Sequence, residues 1–259
     1  MKRPLGLAAL TVLELSPAEQ ISLAADAGYD FVGLRLIPVA GQRIVHRVDV
    51  PEIEARLAAT GLRVLDVEVF RLAAETNVAA FEPAMADAAR LRARDLLVHG
   101  ADPDASRLAE NFGRFCALAG RYGLRANIEP MPWVDIATVT QAKTLLAGAG
   151  AQNAALLVDP IHFFRADNRL EDLQGVACNY LQFCDARAER PADAAEIIRQ
   201  AREDRMLPGE GGLDLAGLLR ALPADLPMCL EIPLSRKLDP AARARLVLEA
   251  ARKFLAPGG

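Results

Sequence analysis

Short apolar segments alternate with helical segments along all 259 residues of this chain, and this alternation limits the choice of fold. One type of junction occurs three times: a helix gives way to a glycine, then to an apolar or aromatic residue, then to a strand. These glycines are Gly28, Gly61 and Gly123. A glycine here supplies the left-handed backbone that ends many helices. The junctions therefore predict helices that lead directly into the next strand.

The alternation predicts eight strands, at residues 4–10, 30–36, 62–70, 95–99, 124–129, 154–159, 179–184 and 227–232. It predicts helices over 17–27, 51–60, 79–93, 105–121, 138–148, 168–175, 192–204, 214–221 and 239–255. Parallel strands need crossover connections, so this order predicts a parallel sheet. Eight units fit a (β/α)8 TIM barrel, a single domain over residues 1–259. An open doubly wound sheet is the alternative, although no GxGxxG motif follows the first strand.

Charge and composition argue against several classes of protein. The net charge is −4 and no basic stripe occurs, so nucleic acid is not an expected partner. No apolar run reaches 18 residues, so no membrane span is expected. The four cysteines form no CxxC pair, which fits a reduced, cytoplasmic setting. The expected partner is therefore a small-molecule substrate.

Polar residues stand where the predicted strands end, at Glu68, His99, Glu129, Asp159, Gln182 and Glu231. The gaps between them are 31, 30, 30, 23 and 49 residues. One strand–helix unit of such a barrel averages about 31 residues. The first gaps therefore place one polar group on each consecutive strand at a similar height. The last gap contains a long excursion at 186–213, and another excursion covers 37–50; such loops usually cover an active site.

Four of these residues, Glu129, Asp159, Gln182 and Glu231, are predicted to share one divalent cation. A buried carboxylate is costly unless its charge is compensated. Carboxylate and amide oxygens are hard donors, which suit Mn²⁺ or Mg²⁺ and extend to Co²⁺. Such an ion would polarise a substrate carbonyl and stabilise an enediolate.

Two of the carboxylates, Glu129 and Glu231, are the predicted proton-transfer groups, since they approach from different strands. His162 lies three residues after Asp159 and is a third catalytic candidate, with a packed loop histidine as the alternative. The predicted substrate-binding residues are His99, Glu68, Arg35, Arg165, Arg187 and Trp133. For the arginines the alternative is a surface salt bridge or a solvated side chain, and for Trp133 it is loop packing.

Several strings together resemble the xylose-isomerase-like TIM barrels. These are IEPMPW with Glu129, LLVDPIHFFR with Asp159 and His162, YLQFCDA with Gln182 and Asp185, RMLPGEGGLDL, and LEIP with Glu231. The family includes sugar isomerases, ketose epimerases, inosose dehydratases and 3-dehydroshikimate dehydratases. The resemblance implies a metal held at positions 129, 159, 182 and 231, with the two glutamates as acid and base.

The chain departs from the family pattern in two places. Gln182 stands where a histidine is usual, and glutamine there is also seen in some dehydroshikimate dehydratase-like members. The arginine of the epimerases would fall on Ala188, with Arg187 or Arg190 as substitutes. The LPGEGGLDL segment is interpreted as a structural turn before a helix capped by Asp214, because its acidic residues disfavour a bound phosphate.

We therefore expect a divalent-metal-dependent isomerase or epimerase that acts on a small sugar, polyol ketone or keto-acid. The first alternative is a dehydratase that uses the same enolate and then expels hydroxide. The second is a barrel that binds a metabolite without turnover. The nuclease branch of the family uses many histidines and only three occur here. A homodimer is the default assembly for such barrels.

Overall fold

A computed structural model describes residues 3–39 and 46–256 of the chain. Within these residues eight parallel strands close into a barrel in chain order, which confirms the predicted TIM barrel. The strands are β1 (Leu5–Leu7), β2 (Phe31–Arg35), β3 (Arg63–Ala73), β4 (Asp95–Ala101), β5 (Arg125–Ile128), β6 (Ala154–Val158), β7 (Cys178–Phe183) and β8 (Met228–Leu230). Residues 40–45 of the predicted 37–50 excursion lie outside the described residues.

Among the described residues eight α-helices lie between consecutive strands, and a ninth follows β8. They are α1 (Pro17–Ala27), α2 (Val50–Thr60), α3 (Glu82–Arg90), α4 (Ala105–Arg121), α5 (Val139–Ala149), α6 (Pro160–Arg165), α7 (Ala194–Glu203), α8 (Leu215–Ala221) and α9 (Pro240–Phe254). In the described ranges no helix has both the length and the hydropathy that a membrane span needs.

The predicted helix over 168–175 is wrong. The chain instead forms α6 directly after β6, followed by a short 3-10 turn at Leu170–Leu173. Asp159 caps α6 by accepting the Ile161 N–H at 3.0 Å, and Pro160 takes the first helical position. An aspartate–proline pair favours helix initiation. The helix therefore begins at the end of β6, and it carries His162 into the barrel mouth.

The helix ends follow the signals in the sequence. Gly28, Gly61 and Gly123 have φ values of 86°, 69° and 70°, so each adopts the left-handed conformation expected of it. Ser16 and Glu19 form the capping box of α1. These local signals fix the points at which the chain turns back toward the barrel.

The third strand is longer than the prediction, since β3 continues to Ala73. Its register against β4 shifts between Val67 and Phe70, and the Glu68–Val69 peptide bond is cis. Asp66 and Glu68 on this strand are both buried. The carboxylate of Asp66 accepts the Tyr180 hydroxyl at 3.0 Å inside the barrel. The strand thus carries two carboxyl groups into the interior of the barrel.

The loop after β7 is organised by the carboxylate of Asp185. This side chain accepts four backbone N–H groups, from Ala186, Gly209, Gly211 and Leu213, at 2.8 to 3.2 Å. Asp185 and Met206 also exchange backbone hydrogen bonds. A Cβ at Gly211 would lie 2.3 Å from the Ala186 oxygen, so only glycine fits. The glycine-rich segment therefore does cradle an anion, and that anion is the protein's own carboxylate.

Asp214 caps α8 by accepting the Gly217 N–H at 2.8 Å, which confirms the interpretation of this segment as a turn before a capped helix.

We expect Asp185→Asn to lower the free energy of unfolding by roughly 2–3 kcal/mol, because an amide cannot accept four N–H groups as a carboxylate does. Urea unfolding of the purified protein measures the change. Asp26→Asn, at an exposed position on α1, is the control and should stay within about 0.5 kcal/mol of wild type. Equal stability of the two variants would mean that the loop does not depend on this carboxylate.

Candidate active site and metal centre

A cavity of about 470 Å³ opens at the carboxyl ends of the strands. Its lining includes seven residues predicted from the sequence: Arg35, Glu68, His99, Glu129, Trp133, His162 and Glu231. Asp159 and Gln182 are buried and do not belong to this lining. The strand-end spacing thus brings residues from six of the barrel strands and their following loops to one place.

Glu129, Asp159 and His162 form a group that could hold a metal ion, because one donor atom from each lies within 4.8 Å of the others. The His162 Nε2 atom is 3.8 Å from Asp159 Oδ2 and 4.0 Å from Glu129 Oε1. Glu129 follows β5 and continues its ladder through a bond from its N–H to the Val98 oxygen. Asp159 and His162 come from the cap and first turn of α6. His162, predicted as a proton-transfer group, is thus placed among the candidate ligands.

The guanidinium of Arg205 lies between two of the predicted ligands. Its Nη1 atom is 2.5 Å from Asp159 Oδ2, and its Nη2 atom is 2.6 Å from Glu231 Oε2. The Arg205 Nε–H donates to the Ala201 oxygen at 2.6 Å, and the side chain is 2% exposed. This residue separates Glu231 from the group formed by Glu129, Asp159 and His162. Two of the four residues predicted to share one ion, Asp159 and Glu231, thus already have the Arg205 guanidinium as a positively charged partner.

Several buried polar atoms at this place have no hydrogen-bond partner among the described residues. They are Glu129 Oε1, His162 Nδ1 and both amide atoms of Gln182, which follows Leu181, the residue of β7 paired with Val158 at the end of β6. Buried polar atoms in proteins are almost always paired, so such a concentration at one site indicates a missing partner. Two carboxylates, an imidazole and an amide oxygen are a donor set that suits a divalent cation. The residues present therefore fit a metal ion.

Three further contacts define the walls of the cavity. The His99 Nε2 atom lies 2.8 Å from Glu129 Oε2, and Arg35 pairs with Glu68 at 2.7 Å. The Trp133 ring packs edge-on against His162, with the ring centres 4.9 Å apart. Trp133 therefore both lines the cavity and holds the imidazole in place.

Two predicted substrate-binding arginines lie elsewhere. Arg165 donates to the backbone oxygens of Arg187 and Ala188 and to Gln200, so its guanidinium serves to hold the loop. Arg187 is exposed and pairs with Asp204 at 3.2 Å. Neither lines the cavity. The substitute arginine expected near Ala188 is also absent from the lining, since Arg190 pairs with Asp167.

Three arginines of the cavity were missed from the sequence: Arg71, Arg202 and Arg205. Arg71 continues β3 beyond the predicted strand end, and Arg202 lies in the last turn of α7. Arg205 begins the RMLPGEGGLDL string, and that adjacency was the one available signal.

The carboxyl groups do not all share one protonation state. Burial raises the pKa of Glu129 well above its ordinary value, and the charge of Asp159 raises it further. Burial also raises the pKa of Glu231, against the opposing effect of Arg205. Burial raises the pKa of Asp159 too, but the charge of Arg205 and the hydrogen bonds from Arg205 and the Ile161 N–H outweigh it, so the pKa of Asp159 falls below its usual value. Asp159 is therefore the most firmly ionised of the three.

Both histidines of the cavity are neutral near pH 7. Burial lowers the pKa of His162 to about 3 and that of His99 to about 3. A neutral imidazole can bind a metal ion or donate its N–H to a carboxylate. The His99–Glu129 contact is therefore a hydrogen bond and not an ion pair.

A family model described as the xylose isomerase-like TIM barrel matches residues 21–255. The chain belongs to this family. The resemblance found in the sequence strings is thus confirmed over nearly the whole chain. Sugar epimerases and a 3-dehydroshikimate dehydratase are among the proteins similar to it.

A 3-dehydroshikimate dehydratase of Pseudomonas aeruginosa is 31% identical over 132 residues, which are 48% of this chain and 20% of that protein. The match thus covers about a fifth of the relative's length. Two solved structures share the fold over almost the whole chain. An IolI protein with a bound zinc atom has a TM-score of 0.78 at 16% identity, covering 97% of this chain and 98% of that one. The 3-keto-D-glucoside 4-epimerase YcjR of E. coli has a TM-score of 0.74 at 17% identity, covering 97% and 100%.

We expect Glu129→Gln to weaken the binding of Mn²⁺ at least tenfold, because it removes one charged donor from the three-residue group. Competition with a metal indicator measures the affinity. Glu210→Gln, at an exposed loop position, is the control. Affinity of the wild type should also rise with pH, because a proton must leave Glu129, whose pKa is raised, before the carboxylate can bind. Unchanged affinity in Glu129→Gln would remove this residue from the ligand set.

Proposed function

We propose that this chain is a divalent-metal-dependent enzyme that removes and returns a proton next to the carbonyl of a small polyhydroxy ketone or keto-acid. The main support is that Glu129 and Glu231 line one buried cavity from β5 and β8. Burial raises the pKa of both carboxyl groups above that of an exposed glutamate, which favours their use in proton transfer. Carboxylates that approach from different strands can serve different carbons or faces of a substrate. This arrangement favours isomerisation or epimerisation.

The cation would be held by Glu129, Asp159 and His162, with the unpartnered amide oxygen of Gln182 as a further donor. When bound, it supplies Lewis acidity that makes the proton beside a substrate carbonyl easier to remove. One imidazole among oxygen donors suits Mn²⁺ better than Mg²⁺. His99 holds the second oxygen of Glu129 at 2.8 Å, and this bond orients the carboxylate toward the cavity.

The substrate is proposed to carry a carboxylate. Arg71 and Arg202 lie at the mouth of the cavity, and neither guanidinium has an acidic partner among the described residues. Both charges lie close enough to His99 to lower its pKa. Arginines with free donors bind carboxylates strongly, often through two bonds. A keto-acid therefore fits this cavity better than a neutral sugar.

A second candidate is a dehydratase. It is favoured by the similarity to the 3-dehydroshikimate dehydratase of P. aeruginosa and by Gln182. Glu231 lines the same cavity and its pKa is raised by burial, so its carboxyl group can give a proton to the departing hydroxide, which leaves as water, after Glu129 has taken the proton from carbon. The two candidates differ in the mass of the product: isomerisation conserves it and dehydration removes one water.

We expect the loaded wild-type enzyme to exchange a substrate C–H proton with deuterium from the solvent, as measured by mass spectrometry over a panel of hydroxy-keto-acids and keto-sugars. Glu129→Gln and Glu231→Gln should slow the reaction by about 10² to 10⁴, since each removes an acid–base group. Glu249→Gln, at an exposed position on α9, is the control. Absence of exchange over the whole panel would reject the proposal, while the mass of the product separates isomerase from dehydratase.

We expect Arg71→Gln and Arg202→Gln to raise KM for an acidic substrate about tenfold each with little change in kcat, because they remove uniform binding of the carboxylate. Steady-state kinetics with an acidic substrate and its neutral analogue measure the difference. Arg245→Gln, exposed on α9, is the matched control. An equal effect on the acidic and neutral substrates would contradict the assignment of the two arginines.

A further inference from the structure

The buried charges of the site do not balance among its own residues. Glu129, Asp159 and Glu231 are each less than 5% exposed, and Arg205 is the cation in direct contact with two of them. When all three carboxylates are ionised, the single positive charge of Arg205 leaves a net charge of −2. A divalent cation would neutralise this charge. Asp159 and Glu231 are also the two predicted ligands whose oxygens Arg205 occupies. The arginine and the metal ion would therefore compete for the carboxylate oxygens of Asp159 and Glu231.

The contacts of Arg205 hold it firmly in this place. Its Nε–H donates to the last turn of α7 through Ala201, and its backbone N–H donates to the Pro233 oxygen at 3.1 Å. The side chain also borders the cavity that Glu129 and Glu231 line. A guanidinium is always charged and cannot lose a proton to make room. It can only share the carboxylates with a second cation or move toward the cavity.

We propose that the Arg205 guanidinium competes with the divalent cation for the carboxylates of Asp159 and Glu231. Without the ion it bridges the two carboxylates, and it moves away from them when the ion binds. The inference rests on the metal dependence of the proposed function, but it assigns a role to a residue outside the ligand set. Arg205 stabilises the buried carboxylates before the ion arrives and lowers the affinity for the ion by the same contacts. It is a positioning residue and has no assigned contact with substrate.

The two effects of Arg205 predict changes of opposite sign in one variant. In Arg205→Met the metal-free protein should be less stable, because Asp159 and Glu231 lose their counter-charge. The same variant should bind Mn²⁺ at least tenfold more tightly, because no guanidinium competes for the carboxylates and the site is one charge more negative. Arg205→Lys keeps the charge without the two-pronged contact and should fall between wild type and Arg205→Met in both properties.

The experiment uses purified full-length protein stripped with a chelator and titrated with Mn²⁺. Free Mn²⁺ is followed by electron paramagnetic resonance, and the melting temperature is measured with and without the ion. Without metal, the melting temperature of Arg205→Met should be several degrees below that of wild type. Saturating Mn²⁺ should raise the melting temperature of the variant more than that of wild type. Arg245→Met is the control and should match wild type in both measurements. If Arg205→Met is too unstable to purify, the Arg205→Lys affinity decides the question.

Equal or weaker Mn²⁺ binding in the Arg205 variants would overturn the inference and would make the arginine a support for the ligands. Absence of Mn²⁺ binding in wild type and variants alike would overturn it as well. Binding in Arg205→Met but not in wild type would support it in its strongest form. These outcomes are separate from the proposed function, whose failure appears as a metal-loaded protein that exchanges no substrate proton.

Discussion

The site depends on the cost of keeping three carboxylates away from water. Glu129, Asp159 and Glu231 are almost fully buried at the carboxyl ends of their strands. An unpaired buried carboxylate would destabilise the fold by several kcal/mol or become protonated. Arg205 reduces this cost for Asp159 and Glu231 through contacts of 2.5 and 2.6 Å. Burial and the charge of Asp159 raise the pKa of Glu129, whose direct partner is the neutral His99, whereas Arg205 lowers the pKa of Asp159.

The fold and the position of the site could be predicted because both rest on local signals repeated once per unit. Gly28 and Gly61 each end a helix by adopting the left-handed conformation, and this effect does not depend on distant parts of the chain. The spacing of Glu129 and Asp159 reflects the length of one strand–helix unit. Closure of the barrel then brings residues on different strands to one end, so the cavity follows from the topology.

Arg205 could not be assigned from the sequence because its place depends on the path of the long segment between β7 and β8. That path is fixed by Asp185, whose carboxylate gathers four backbone N–H groups of the glycine-rich turn. The pattern of apolar and polar residues within 186–213 does not predict such a contact. The helix α6 was missed for a related reason: the strand end and the helix cap are the same residue, Asp159. The prediction therefore treated His162 as a loop residue, and the structure gives it a helical turn aimed at Glu129.

The replacement of the usual family histidine by Gln182 is offset by the position of His162. An amide alone would leave the site with oxygen donors only, and such a set suits Mg²⁺ or Mn²⁺ better than softer metals such as zinc. The short helix α6 places the His162 Nε2 atom within 4.0 Å of both Glu129 and Asp159, so the group retains one imidazole. Burial keeps that imidazole neutral, which is the form that binds a metal ion. The proposed set of two carboxylates, one imidazole and one amide lies between a magnesium site and a zinc site in softness, and this is the reason for proposing Mn²⁺ as the cation.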